Sequence, residues 1–412
     1  MRAADVVVVG AGSAGLAAAV TAARQSARVI LLERHGYAGG MGTASLVHTF
    51  CGLYRMDEEA PVLANPGFPV EIAERMLRAT GASGPVKMGR VWVLMQHPVE
   101  FVRIADELLA ESGVELLFHT EVTAVSRSEG GWQIQAAGRG GCFPISAKVL
   151  IDTSGDAVLA AMLDPASAEL VESARLQRPA YIFGVQGAAE GESGLPLAGR
   201  IVDGVRRGLL PPQVLGLHFR ASGRPAELFG TIDLSGTEEG DYDPLDPACL
   251  SRLERSGRTT ASAAIAFLRA EAPGWGQSYI SHWPVRAGVR ESRRWRGRHV
   301  LTGEEILGGI RHPDEIALAT WPLELRETNR GPKLRYPEGG RPAGIPLGCL
   351  MPEGIEGLFT AGRCLSSDHE AQASIRVMGT CFATGQAAGM AAAIQASGGE
   401  LSSVPQALES LI

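Results

Sequence analysis

Runs of consecutive β-branched or aliphatic residues alternate along this chain with stretches whose small and apolar residues recur every three to four positions. That rhythm predicts strands and helices in turn, an α/β organisation. The first unit, "DVVVVGAGSAGLAAAVTAARQSARVILLER", reads as a strand over residues 6–9, a glycine turn, a helix and a second strand over Val29–Leu32. Four valines in an unbroken run suit a strand covered on both faces, as in a parallel sheet. Phe101, Ile104, Ala105, Leu108 and Leu109 repeat at helical spacing and predict a helix over about 98–112, stopped by Gly113. "VELLFHTEVTAV" then supplies a strand ending near Val122, and "AKVLIDTSGDAVLAAML" a strand entering a small-residue turn at 153–156.

From about residue 165 the pattern changes to mixed strands and helices with scattered prolines. "RTTASAAIAFLRAEAPGW" reads as a helix, and "SYISHWPVRAGVRESRRW" and "EIALATWPLEL" as strands. The end returns to the first style. "GIEGLFTAGR" is a strand running into Gly362, and "RVMGTCFATGQAAGMAAAIQ" is a small-residue helix whose N-terminus falls near Val377 to Thr380. The expected division is 1–164, a middle substrate domain over 165–340, and 341–412 rejoining the first part.

Gly10, Gly12 and Gly15 give GxGxxG immediately after a strand and at the opening of a helix, the context in which the motif binds a dinucleotide. The first glycine permits the tight turn, the second lets backbone approach a pyrophosphate, and the third lets helix pack on strand. Glu33 closes the second strand 18 residues beyond Gly15, where an acid accepts hydrogen bonds from ribose hydroxyls. An acid there, not an arginine, disfavours a 2′-phosphate and hence NADP at this site.

Composition narrows the class further. Glycine accounts for 52 of 412 residues, about one in eight against roughly 7% on average, which fits many tight turns and close backbone contacts. A net charge of −7 disfavours a nucleic-acid binder. The six cysteines, Cys51, Cys142, Cys249, Cys349, Cys364 and Cys381, form no CxxC pair, so neither a disulfide framework nor a metal site is expected. The N-terminal apolar run has only Arg2 before it and is punctured by glycines, unlike a signal peptide. No membrane span is expected, and a reducing cytoplasm is the expected location.

"GGMGTASLVHTFCG", "IDTSGDA", "VRESRRWRGRHVLTGEE" and "AGRCLSSDHEAQASIRVMGTCFATGQAAG" together resemble FAD-dependent oxidoreductases of the glutathione-reductase-like superfamily, in the group carrying GGM-T and HEA-SIRVM-TC-ATGQAAG elements. The resemblance runs from residue 5 to about 395 and is weakest between 165 and 275. It implies a Rossmann-like FAD-binding domain with a parallel sheet, and a mixed sheet-and-helix substrate domain roofing the flavin. FAD is then held at the first turn by Gly10, Gly12, Ser13, Ala14 and Gly15, and at the second strand by Glu33 and Arg34. Gly40, Met41 and Thr43 follow in the second glycine signature. Val122 is the candidate for backbone contact with adenine, beside a plain sheet role. Ser154 and Gly155 match the superfamily's crossing element, with Asp156 read as a helix cap in preference to a catalytic acid. Gly362 ends the third flavin-contact strand. Many relatives place Asp after that glycine to hold the ribityl chain; here stands Arg363, and Asp368 is the candidate substitute. Ser374 and Val377 complete the cofactor set.

The chemistry is expected at the same end. His369 suits a general base near neutral pH, or a hydrogen-bonding partner of flavin or loop. Glu370 is read as an orienting partner, with Arg376 as one candidate for its charge, and Arg376 itself as a grip on flavin O2 or an anionic substrate group. "RAGVRESRRWRGR" concentrates Arg286, Arg290, Arg293, Arg294, Arg296 and Arg298, open to three readings: a salt-bridged strand, anion capture with Arg290 as the fork, or nucleic-acid contact. The small-residue helix can aim its dipole at reduced flavin, worth about 0.3–2 kcal/mol. Cys364 reads as a small buried hydrophobe or as an attachment point for flavin. The expected function is an FAD-dependent oxidase or dehydrogenase of an amine, amino-acid-like or hydroxy compound, passing electrons to O2 or another acceptor. An NAD(P)H-fed monooxygenase or reductase and a non-enzymatic flavin-bearing assembly protein are the alternatives. Oligomeric state is left open.

Overall fold

The strand Arg2–Val9 sits at the centre of a seven-stranded sheet because Val6, Val7 and Val8 carry nothing that water would solvate, and all three are fully buried. The computed structural model describes residues 2–170, 175–188, 194–234, 242–327 and 331–411. Parallel neighbours of that strand are Val29–Leu32 on one side and Gly141–Asp152 on the other, with Glu115–Leu117 beyond the former. The long strand Gly141–Asp152 divides its far edge. Its first part pairs antiparallel with Gly131–Gly138, which pairs with Glu121–Ser128, and its end pairs parallel with Leu358–Thr360. The expected strand ending near Val122 is therefore two strands, Glu115–Leu117 and Glu121–Ser128, broken where His119 adopts a positive φ.

Helix Ser13–Arg24 and the closing helix Met378–Ala396 meet backbone to backbone against this sheet. A Cβ at Gly385 would overlap Ala14 O, and one at Gly389 would overlap Ala18 O, so glycines four apart on one helix face small residues four apart on the other. Helix Pro98–Glu111 buries the five residues the periodicity selects: Phe101, Ile104, Ala105, Leu108 and Leu109.

A four-stranded antiparallel sheet, in the order His218–Ala221, Glu227–Asp233, Ala180–Gln186, Tyr279–His282, forms the second layer. Its period-two alternation separates two tasks. Tyr181, Phe183 and Val185 pack among helices Leu195–Arg206 and Pro247–Glu271, while Ala180 and Ile182 face the opposite way, towards a cavity. The segment 283–293, expected to continue a strand, is irregular; only Tyr279–His282 and Arg294–Trp295 are strands there. Leu301, Ile306 and the strands Glu315–Ala319 and Leu323–Leu325 fall inside the expected 165–340 domain, yet they pack in the same core as helices Ser13–Arg24 and Met378–Ala396. Among the described residues no single helix is long and apolar enough to cross a membrane.

Candidate active site

Two adjoining cavities lie where the sheet's C-terminal strand ends meet the closing helix. The first, about 200 Å³, is lined by Gly10, Gly12, Glu33, Arg34, Gly40, Val122, Ser154 and Arg286. Gly10 takes φ +96° and its nitrogen donates to Leu32 O at 2.8 Å, a turn that any Cβ would push into Thr153 O. A Cβ at Gly15 would lie inside the surface of Gly10 O, so this glycine serves helix-to-turn packing. Gly12 is the N-cap of helix Ser13–Arg24, and no side chain caps that end, which leaves its amides for a ligand. Glu33 accepts from Ala11 N and His35 N, both at 2.8 Å, and so is oriented by the turn it serves. His35 Nε2, Tyr37 Oη and Arg286 Nε, all on residues lining this cavity, are buried without a partner. Orphaned donors and acceptors of this kind fit the phosphates and ribose of a dinucleotide.

The second cavity, about 360 Å³, lies beneath the antiparallel sheet. Met41, Val377 and Met378 line one side, and Ile182, Thr231, His218 and Arg220 come from the sheet. Its charge is lopsided: Arg220, Arg290, Arg326, Arg363 and Arg376 against Glu324. Arg290 and Arg326 share Asp233, whose carboxyl burial would raise but these two guanidinia hold at about 2. Among the described residues Arg376 finds only neutral acceptors, Gln177 Oε1 at 3.2 Å and Glu324 O at 3.3 Å. Burial pulls its pKa down to about 10, opposed by the nearby Glu324 and Glu291 carboxylates and helped by Arg290 and Arg326. Among the described residues the Arg220 side chain has no hydrogen bond or ion pair, its backbone alone being paired, opposite Phe229. Val377 caps the closing helix without a side-chain bond, so that helix also presents its N-terminus to a cavity wall.

Arg363 stands at the junction of the two cavities. Its Nη2 meets Asp156 Oδ1 at 2.6 Å and its Nη1 donates to Ser292 Oγ at 3.1 Å. Asp156 is thus an ion-pair partner, not the expected helix cap. The helix Val158–Leu163 is steadied by Ser154 Oγ, which accepts from Val158 N, and by Asp152 Oδ2, which accepts from Leu159 N. Gly155, at φ +79°, exists to let Arg363 lie flat over it: a Cβ would come within 2.9 Å of Nη2.

Other expected site residues lie elsewhere. Asp368 is the N-cap of helix His369–Ile375, accepting from Ala371 N at 2.7 Å, and lines neither cavity. Glu370 pairs with Arg335 at 2.8 Å and not with Arg376. Ser374 donates to Trp321 O and Thr43 to Ala38 O, both internal bonds. Ser13 and Ala14 do belong with the first cavity's glycine turn, since they open the uncapped first turn of the helix and supply its free amides, with the Ala14 side chain against Gly362. Cys364 is buried away from either cavity wall, its thiol pushed up to about 12 by burial. The arginine run divides by address: Arg286 and Arg290 reach the two cavities, Arg294 is buried against Glu291 at 2.6 Å, and Arg296 and Arg298 are exposed.

His369 is clamped between carboxylates. Its Nδ1 meets Glu291 Oε1 and its Nε2 meets Glu327 Oε1, each at 2.9 Å. Burial would lower its pKa, but the two carboxylates outweigh that and raise it. With both nitrogens engaged, no lone pair is presented to the cavity as a general base requires. A raised folded-state pKa stabilises below the unfolded value near 6.5 and is lost as pH rises through the folded one. His369→Gln should therefore cost about 1.5–3 kcal/mol in mildly acidic buffer, and the gap should narrow in alkaline buffer. Urea midpoints across that range measure it; a gap that widens with pH would contradict an imidazolium here.

Sequence reasoning passed over His48, in the same "GGMGTASLVHTFCG" element that carries Gly40 and Met41. It lines the second cavity and stacks on Phe229 at 4.9 Å. Its Nδ1 lies 3.2 Å from Leu46 O, so that nitrogen carries the proton, and Nε2 is left without a partner. Burial pulls its pKa down to about 4.

A family model described as FAD dependent oxidoreductase matches residues 5–408. Three solved structures share the fold, each at TM-score 0.50. AlpK is 14% identical, with 96% of this chain and 63% of that one aligned, so this chain spans under two thirds of its length. A geranylgeranyl bacteriochlorophyll reductase-like protein from Thermoplasma acidophilum is 11% identical over 100% and 83% of the two chains. The p-nitrophenol 4-monooxygenase PnpA from Pseudomonas putida DLL-E4 is 11% identical over 99% and 84%. At such identities the likeness is one of fold alone. No curated protein matches the chain.

Proposed function

The chain belongs to the FAD-dependent oxidoreductase family, and from that premise we propose that it oxidises a small organic anion held in the second cavity. The observation that carries this reading is the pair of arginines there, Arg220 and Arg376, whose guanidinium groups touch no carboxylate side chain among the described residues. Leaving a guanidinium part-buried without a counter-charge is costly, and a carboxylate-like group on the substrate supplies one. The apolar walls, Met41, Val91, Val93, Ile182 and Trp321, suit the hydrocarbon part of such a molecule.

When bound, FAD supplies the electron chemistry, taking hydride from a substrate carbon. The first cavity would hold its dinucleotide end: the Gly10–Gly12 turn and helix N-terminus at the pyrophosphate with Arg286, Glu33 at a ribose, and Val122 beside the adenine. Met41 and the N-terminus of helix Met378–Ala396 would border the flavin end. His48, neutral and with Nε2 unpartnered, can accept a hydrogen bond from a substrate O–H or N–H and so orient it. The glutathione-reductase-type assembly is part of this reading. It is supported by a parallel dinucleotide sheet carrying the site at its strand ends and an antiparallel sheet over the second cavity.

Replacing Arg286 with Met should weaken FAD retention about tenfold or more, the worth of a charge-assisted hydrogen bond near 1.5 kcal/mol. Titrating apoprotein with FAD by flavin fluorescence measures it, and unchanged affinity removes Arg286 from the cofactor site. The reading as a whole is tested by anaerobic stopped-flow spectra of the FAD-loaded protein. Hydroxy and amino carboxylates should bleach the flavin while their neutral esters or amides do not. Bleaching by NADH or NADPH alone would replace it with a reductase or monooxygenase, the activity named for the Pseudomonas enzyme that shares the fold.

A further inference from the structure

On the side of the molecule that carries helix Gly303–Gly308, three side chains from three separate segments converge. His299 follows the strand Arg294–Trp295, Glu305 lies in the helix, and His312 precedes the strand Glu315–Ala319. His299 Nε2 is 2.9 Å and His312 Nε2 is 3.2 Å from the same carboxylate oxygen, Glu305 Oε1. The three ligand atoms all lie within 4.8 Å of one another. None of these residues lines either cavity of the proposed flavin site.

We propose that His299, Glu305 and His312 form a binding site for one divalent transition-metal ion of the zinc class. Two imidazoles and a carboxylate are the donor set of a three-ligand zinc centre, with a fourth position open to water. Ligand atoms around a tetrahedral zinc with bonds of ~2.0–2.1 Å stand ~3.4 Å apart, close to the two spacings seen. Magnesium and calcium prefer oxygen-only shells, so the two histidines select against them.

Two further observations separate this cluster from a chance meeting of a carboxylate with two histidines. The first is that His312 Nε2 is buried and has no hydrogen-bond partner, although it points to within 3.2 Å of the shared oxygen. One carboxylate oxygen flanked by two imidazole nitrogens satisfies His299 and leaves His312 wanting; a cation at the centre satisfies all three. The second is that Glu305 is locked in place. Its other oxygen accepts from Thr302 N at 2.7 Å and Thr302 Oγ1 at 2.8 Å in a capping box, so Oε1 is aimed by the helix start itself. The ion would clip three chain segments together. It would also stiffen the helix start at Gly303, whose amide bonds Asp368 at the head of helix His369–Ile375.

The test uses the FAD-loaded full chain, stripped with a chelator and titrated with zinc by calorimetry. One equivalent per chain should bind, magnesium in excess should not compete, and the melting midpoint should rise with added zinc. His299→Ala and His312→Ala should each weaken binding at least about tenfold, the low end for disturbing even the shell behind a metal's ligands. Both variants should keep wild-type FAD content, which reports folding independently of the metal and of the proposed substrate chemistry. Glu305→Gln keeps a capping box, which takes Gln as well as Glu, and should likewise weaken zinc binding because an amide replaces the ligating carboxylate. Equal zinc affinity in the double His299→Ala/His312→Ala protein, absence of stoichiometric binding, or a zinc-edge anomalous peak away from these three side chains would each overturn the site.

Discussion

Asp156→Asn is expected to destabilise the protein by about 3–5 kcal/mol, the range for removing one partner of a buried ion pair. The change is nearly isosteric and keeps an acceptor for Ser292, so the loss reports charge and not volume. What it leaves behind is the Arg363 guanidinium, with side-chain exposure of only 10%, facing an amide. The pair also sets an acid limit. Burial works to raise the Asp156 carboxyl, but Arg363, Ser292 and Arg286 prevail and hold it at about 2. A depressed folded-state pKa gives stability above the unfolded value near 3.9 that drains away as pH falls through the folded one. Wild type should therefore lose its advantage over Asp156→Asn between about pH 4 and pH 2. Urea unfolding of Asp156→Asn, Arg363→Met and the double variant gives the coupling directly. Arg363→Met should rescue much of what Asp156→Asn loses, because the double variant buries no lone charge. A single-variant loss under about 1 kcal/mol would show the pair to be ornamental to stability.

The second large effect concerns Arg376. If it grips the anionic group of the substrate, Arg376→Met forfeits a charge-assisted hydrogen bond of about 1.5–3 kcal/mol and should raise KM roughly 10- to 200-fold. Arg376→Lys should fall between, since a point charge replaces a planar fork. Stability should move the other way. Burial pulls the pKa of Arg376 down to about 10, so the folded protein bears a cost to keep this charge, and Arg376→Met should unfold no more easily than wild type. Arg220→Met should raise KM as well, and the two changes together should be non-additive if both arginines hold one group. Unchanged kinetics with unchanged flavin content in Arg376→Met would remove it from the substrate site.

Much of the frame was legible without a structure. The GxGxxG turn, the second strand closing on Glu33, the helix over Pro98–Glu111 and the start of the closing helix at Met378 all lie where the patterns place them. Each depends on local rules: a positive φ needs glycine, a buried strand needs an apolar run, and a helix repeats near every 3.6 residues. The candidate site was legible at the backbone of Gly10, Gly12, Gly40, Met41 and Val377 and at the side chains of Glu33, Arg34, Arg290 and Arg376, all of which line the two cavities. His48 could have been found by asking what else the GGM-T element delivers to the flavin end, since it lies seven residues after Met41.

Side-chain partnership was not legible, because it is decided by approaches between residues far apart in the chain. His369 read as a free base until Glu291, 78 residues earlier, and Glu327 closed on its two nitrogens. Arg363 stood where an aspartate was expected, and its explanation lies 207 residues away at Asp156. From the sequence alone, only Arg290 stood out among the six arginines of "RAGVRESRRWRGR". Burial and the nearest partner made Arg294 a core residue, Arg286 and Arg290 cavity residues and Arg296 and Arg298 surface ones, with Arg293 half-buried on the Asp156 carbonyl. The sequence by itself determined a dinucleotide fold and where its glycines must bend. Only the tertiary structure decided which charges are neutralised and which are left to meet a ligand, because the energy of a charge depends on its surroundings and not on its neighbours in the chain.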